Sequence, residues 1–141
     1  MSYVLDASVA LAWLFESEHT VGIIALLRNL EKAPAFVPSL WALEVANTIV
    51  VSEKKGRLSE AKSIQFIQEL DSLDIRIDPQ TPQHALHTTL TLARKENLTA
   101  YDAAYLELAL RQHCPLATLD KPLREVARRL GLAVLPETLA S

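Results

Sequence analysis

The sequence predicts an α/β fold with a central, mostly parallel sheet. Three observations lead there. Short apolar segments alternate with longer stretches of helical periodicity, the pattern of strand–helix–strand units. Half of the 141 residues are apolar, and a chain of this length buries roughly two thirds of the surface it would expose unfolded, so a core forms without disulfides or a structural metal. No repeat, low-complexity tract or long linker interrupts the chain, which reads as one domain over residues 1–141.

The elements follow in order. "SYVLD" reads as a short strand, and "ASVALAWLFE" as a helix with Asp6 or Ser8 near its start. "VGIIALLRNLEK" is a second helix, its apolar residues three and four apart. "AFVP" is a brief strand, and Ser39 is the expected N-cap of the helix in "PSLWALEVANTIVV". "SEKKGR" reads as a helix end with Gly56 as C-cap, and "LSEAKSIQFIQELDSL" as an amphipathic helix starting near Ser59. "DIRID" alternates like a strand, and "PQHALHTTLTLARKEN" is a continuous helix. "TAYDAAYLELALRQH" is a further helix with Thr99 as cap. "PLATLD" is a strand, "KPLREVARRLG" a helix closed by Gly131, and "LAVLP" a last strand.

The bulk properties exclude several classes. The lone cysteine, Cys114, permits neither an internal disulfide nor a thiolate zinc site. The N-terminus has no basic n-region, Asp6 interrupts any signal-like apolar run, and no stretch reaches the ~18 apolar residues of a membrane span. A soluble, cytoplasmic protein with no membrane partner is expected. The net charge of -3 argues against affinity built on phosphate contacts alone. A bound divalent cation or a local basic face would reverse that sign where it matters.

Most acidic residues lie in polar surroundings and read as solvated. Four do not. Asp6 ends "YVLD", Glu44 is the only charge in "PSLWALEVANTIVV", Asp102 sits in "LTAYDAAYL", and Asp120 ends "CPLATLD". A carboxylate in apolar company is costly unless paired, hydrogen-bonded or metal-bound. In a parallel sheet Asp6 and Asp120 end strands at one edge, and Glu44 starts the helix that leaves the same edge. The helix of Asp102 feeds the "PLATLD" strand through a short loop, which returns its N-terminus to that strand's end. Ligands in such sheets bind beyond the carboxyl ends of the strands. Converging carboxylates repel, and a hard divalent cation resolves the conflict. Such a site suits phosphodiester hydrolysis by water, without a nucleophilic side chain.

Taken singly, each acid also has a structural reading. Asp6 could cap the first helix, Thr99-x-x-Asp102 resembles an acidic capping box, and Asp120 before Lys121-Pro122 is a plausible helix start. Glu44 could form a buried ion pair with an arginine. It is the conjunction of four that favours a site.

"VLDASVALAWLF", "PSLWALEVANTI", "LTAYDAAYLELAL" and "PLATLDKPLREVA" together resemble the successive signatures of the PIN-domain family, and within it the VapC-type toxins of toxin–antitoxin pairs. The resemblance spans nearly the whole chain. It implies a three-layer α/β/α sandwich and Mg²⁺- or Mn²⁺-dependent endoribonuclease activity, with Asp6, Glu44, Asp102 and Asp120 as catalytic and metal-binding residues. Ser8 and Thr118 match the small hydroxyl positions that support the acids. It further implies a homodimer held inactive by a VapB-like antitoxin.

RNA needs basic groups at the rim. Lys121, Arg124 and Arg128 share a helix face beside Asp120 and are the expected phosphate contacts. His19, His84, His87 and His113 form no metal motif, and Trp13 and Trp41 read as core or dimer packing. Two other functions compete. A receiver-type phosphoacceptor also gathers aspartates around Mg²⁺, with a lysine that Lys121 could supply, but it clusters two acids after the first strand where "VLDAS" has one. The third reading is a non-catalytic binding module on the same fold.

Overall fold

A computed structural model describes residues 1–139. Five short strands form the sheet: β1 (Tyr3–Leu5), β2 (Ala35–Val37), β3 (Ile75–Ile77), β4 (Leu116–Ala117) and β5 (Val134–Leu135). All neighbouring pairs are parallel, in the order β3-β2-β1-β4-β5. Tyr3 stands beside Ala35, and Val4 beside both Phe36 and Leu116. The central strand is buried along its whole length, as a parallel strand covered on both faces must be.

Among the described residues eight α-helices connect the strands: α1 (Ala7–Leu14), α2 (Val21–Asn29), α3 (Trp41–Lys54), α4 (Glu60–Asp71), α5 (Thr81–His84), α6 (Leu90–Glu96), α7 (Ala100–Gln112) and α8 (Lys121–Arg129). Helix α1 packs on α2 and α3, while α7 packs on α6 and α8. Right-handed crossovers place these two groups on opposite sides of the sheet, because the chain winds outward from β1 in both directions. Tyr3 and Trp13 are held in the core by their polar ends: the Tyr3 hydroxyl donates to Leu26 O at 2.8 Å, and Trp13 Nε1 to Ile23 O at 2.9 Å. Among the described residues no helix is long and apolar enough to cross a membrane.

Two local expectations need correction. Ser39 does not cap α3: its amide donates to Thr81 Oγ1 at 3.1 Å, and α3 is entered through a backbone turn in which Trp41 N bonds Pro38 O at 3.0 Å. The helix expected over "PQHALHTTLTLARKEN" is interrupted by a π-helical turn at Ala85–Thr89 between α5 and α6. Thr99 and Ser59 do cap α7 and α4, accepting from Asp102 N and Lys62 N.

The strand order has a functional consequence. Winding reverses between β1 and β4, and the crevice at such a switch point is where doubly wound sheets take ligands. Asp6 follows β1, and Asp120 lies three residues past β4. The order also differs from the 2-1-3-4-5 order of flavodoxin-like folds, to which receivers belong.

Candidate active site

Asp6 occupies the N-cap position of α1 with extended backbone angles, yet its carboxylate makes no capping bond. Oδ2 instead accepts from Ser8 Oγ at 2.6 Å and from Thr118 Oγ1 at 2.7 Å. Each hydroxyl has one proton and spare lone pairs. Both protons go to Asp6, and the lone pairs accept backbone amides of the turn after β4: Leu119 N to Ser8 at 3.0 Å and Asp120 N to Thr118 at 3.1 Å. Ser8 and Thr118 thus tie the ends of β1 and β4 together and fix Asp6 across the switch point. Asp6 is 8% exposed and Thr118 fully buried. Burial pushes the Asp6 carboxyl above the ordinary aspartate value and the charge of Asp120 adds to this, against the opposing pull of the two hydroxyls.

Glu44 lies in the first turn of α3 and accepts a short hydrogen bond from the Tyr105 hydroxyl. Among the described residues no basic side chain pairs with it, so the buried ion pair considered from sequence is absent. Its carboxyl is raised by burial, with Asp6 and Asp102 contributing, while Tyr105 opposes the shift. Asp102, in the first turn of α7, is raised by burial and by the charges of Asp120 and Asp6, with Thr99 opposing. Asp120 caps α8 through Oδ2, which accepts from Leu123 N at 2.9 Å. The helix-start reading of Asp120 therefore holds alongside its place among the acids.

Four segments of the chain thus bring four carboxylates together, and neighbouring acidic charges add to the raised carboxyls of Asp6, Glu44 and Asp102. Among the described residues no group of three or more Asp, Glu, His or Cys side chains closes into a metal shell. The cluster is open. The donor set is entirely oxygen, mutually repulsive and partly desolvated. That fits a hard divalent ion such as Mg²⁺, which takes one or two carboxylates and keeps several waters. A surface concavity of about 820 Å³ lies elsewhere, along α2 between His19 and Lys32, and contains none of the four acids.

Arg124 drops out of the expected basic rim. Arg124 is 3% exposed, and its guanidinium donates to Thr118 O at 2.7 Å and Pro136 O at 2.6 Å. It falls on the buried face of α8 with Leu123, Val126 and Ala127, so the expectation of a phosphate contact fails for it. Its role is to hold the turn carrying Thr118 and Asp120 against the segment after β5. Lys121 is exposed at the start of α8. Arg128 is exposed, with its guanidinium donating to Glu137 O at 2.8 Å.

Two features escaped the sequence reading. One is Tyr105, whose hydroxyl meets Glu44 across 61 residues of chain. The other is a buried charge network at the β3 edge. Arg111 donates to Asp78 Oδ2 at 2.6 Å and to Glu107 at 2.8 and 3.0 Å. Asp78 is held below the ordinary range: burial would raise it, but Arg111, the Gln80 amide and Thr81 outweigh that effect. The four-residue spacing of Glu107 and Arg111 was legible; their third member was not.

The PIN domain family model matches residues 3–129. Ribonuclease VapC3 of Pyrobaculum aerophilum is 31% identical over 132 residues, covering 89% of this chain and 94% of that protein. PAE2754 from Pyrobaculum aerophilum superposes with a TM-score of 0.68 at 24% identity, over 95% of this chain and 92% of that one. VapBC2 from Rickettsia felis, solved bound to a DNA fragment from its promoter, gives 0.66 at 17% identity, over 95% and 97%. FitAcB from Neisseria gonorrhoeae gives 0.63 at 16%, over 97% and 98%.

Proposed function

This chain belongs to the PIN domain family, and from that premise we propose that it is a divalent-metal-dependent endoribonuclease, the toxin of a VapBC-like toxin–antitoxin pair. The observation that carries the proposal is the fate of the Asp6 carboxylate. At a helix N-cap it would ordinarily bond the helix amides; here two hydroxyls take its Oδ2, and its charge interacts with those of Asp120, Glu44 and Asp102. Likeness to a protein named as a VapC ribonuclease supports the RNA substrate, and likeness to a VapBC assembly supports a VapB-like partner. A homodimer working in the cytoplasm completes the reading.

In this reading Asp6, Glu44, Asp102 and Asp120 would hold Mg²⁺ or Mn²⁺. When bound, the ion supplies Lewis acidity that offsets the phosphodiester charge and makes water a stronger nucleophile. The side chains do the rest. Ser8 and Thr118 place both their protons on Asp6 Oδ2 and so orient that carboxylate. Thr118 and Arg124 hold the turn that presents Asp120. Lys121 and Arg128 offer cationic groups to flanking phosphates, in keeping with their exposure.

The test is cleavage of total RNA by the purified protein with Mg²⁺ or Mn²⁺, against EDTA and against Asp102→Asn. Cleavage should need the metal and vanish in the variant while its circular dichroism is unchanged. Equal cleavage by both proteins would sink the proposal.

A further inference from the structure

We infer that Tyr105 is a positioning residue for Glu44: its buried hydroxyl fixes the Glu44 carboxylate toward the other acids and so sets the distance between the α3 and α7 sides of the site. The inference rests on the proposed reading of the acidic cluster as a metal site.

Glu44 sits on a long side chain with several rotatable bonds and, among the described residues, has no ion-pair partner to fix it. Its hydrogen bond comes from Tyr105, whose side chain is fully buried. The dependence is mutual. A buried phenol needs an acceptor, because an unpaired hydroxyl away from water is costly. A phenol carries its proton at neutral pH, so it is the donor in this bond.

The sequence of α7 makes the arrangement a ruler. Asp102 and Tyr105 are three residues apart on one helix, a spacing that puts side chains on neighbouring positions of one face. The first contributes its own carboxylate, and the second reaches over to hold a carboxylate of α3. The residues around Tyr105, including Ala104, Leu106 and Leu108, are buried and pin the helix. A carboxylate ordered before metal arrives loses less freedom on binding, and outer-shell partners of this kind typically contribute about 10–100-fold to metal affinity or activity.

The experiment measures Mn²⁺ binding to the whole protein without RNA, by the electron paramagnetic resonance of free Mn²⁺. Tyr105→Phe keeps the ring and removes only the donor. Its Mn²⁺ affinity should fall about tenfold or more, with an unchanged circular dichroism spectrum. In a Glu44→Gln background the same substitution should cost nothing further, since the effect runs through Glu44. A second measurement needs no Tyr105 variant. In protein labelled at the Cζ carbon of its three tyrosines, with signals assigned through Tyr3→Phe and Tyr101→Phe, Mg²⁺ should move the Tyr105 resonance, and should not do so in Glu44→Gln. Undiminished Mn²⁺ affinity in Tyr105→Phe, additive losses in the double variant, or a motionless Tyr105 signal would each overturn the inference. A parent protein that neither binds Mn²⁺ nor cuts RNA overturns the metal-site reading itself, and a parent that does both while Tyr105→Phe matches it overturns the Tyr105 inference alone.

Discussion

Replacing Thr118 with valine removes one hydroxyl and almost nothing else. The side chain is fully buried, so shape is preserved and no solvent replaces the lost group. Two bonds go. The donation to Asp6 Oδ2 is charge-assisted, and such a bond contributes about 1.5–3 kcal/mol. The Asp120 amide loses its acceptor, which costs about 1–3 kcal/mol when buried; Asp120 is only half-buried, so the low end applies. Ser8 still donates to the same Asp6 oxygen, which limits the first loss. The expected destabilisation is about 2–4 kcal/mol at neutral pH, or a fall in Tm of about 6–12 °C for a chain of this size. The sign with pH follows from Asp6. Its carboxyl is already raised above 3.8 by burial, and deleting a donor to the charged form raises it further in the folded state alone. The deficit of the variant is therefore full above both folded values and shrinks as pH falls towards the ordinary aspartate value. Metal-dependent cleavage should drop about 10–100-fold, because the carboxylate is held by Ser8 alone and is less firmly aimed. Thermal melts in EDTA from about pH 8 down to about pH 4, with cleavage rates alongside, check both parts. A Tm equal to the parent's at neutral pH, or a deficit that does not vary with pH, would refute the reasoning.

Three further outcomes follow from the same geometry. Asp6, Glu44 and Asp102 all have raised carboxyls, so the metal-free protein loses stability as pH rises from the ordinary carboxylate range through those raised values; Asp102→Asn should flatten that slope in EDTA melts, and Mg²⁺ should raise the Tm of the parent but not of the variant. Arg111→Met leaves Asp78 and Glu107 buried without their counter-charge and should cost about 3 kcal/mol, the low end for breaking a buried pair, because Arg111 is 20% exposed. Asp78 is depressed, so its contribution is present above the ordinary aspartate range and lost as pH falls through the depressed value; urea melts should show parent and variant converging in acid. Lys121→Ala should leave the Tm unchanged and reduce the salt dependence of RNA binding by about one ion, whereas Arg124→Ala should lower the Tm by several degrees, read side by side by melting and by fluorescence anisotropy on labelled RNA.

The order of strands and helices was legible because each element carries its own local signal. The apolar run of "YVL", the three-and-four spacing of "VGIIALL", and the caps at Ser59 and Thr99 are all written within one or two helical turns. The failures occurred where a local signal competes with a distant partner. Ser39 resembles an N-cap, but Thr81 takes its amide from 42 residues away. Arg124 shares a helix face with Lys121 and Arg128 on paper. Yet it lies at the boundary of the buried arc, and carbonyls of the segment after β5 draw it inward.

The candidate site divides the same way. Four carboxylates stranded in apolar sequence could be picked out by residue type alone, since unpaired charge in such company is costly wherever the chain goes. Alternation of strands and helices put them at one sheet edge. Ser8 and Thr118 were named only through the family resemblance, and which atoms they and the other partners would bond was beyond reach of the residue pattern. That Asp6 turns from its helix to Ser8 and Thr118, that Glu44 meets a phenol rather than an arginine, and that Arg111 is locked between Asp78 and Glu107 depend on contacts across 112, 61 and 33 residues. Apolar patterning fixes which face of an element is buried, and so the fold; hydrogen-bond pairing also depends on side-chain direction and on which strands become neighbours, and only the folded sheet decides that.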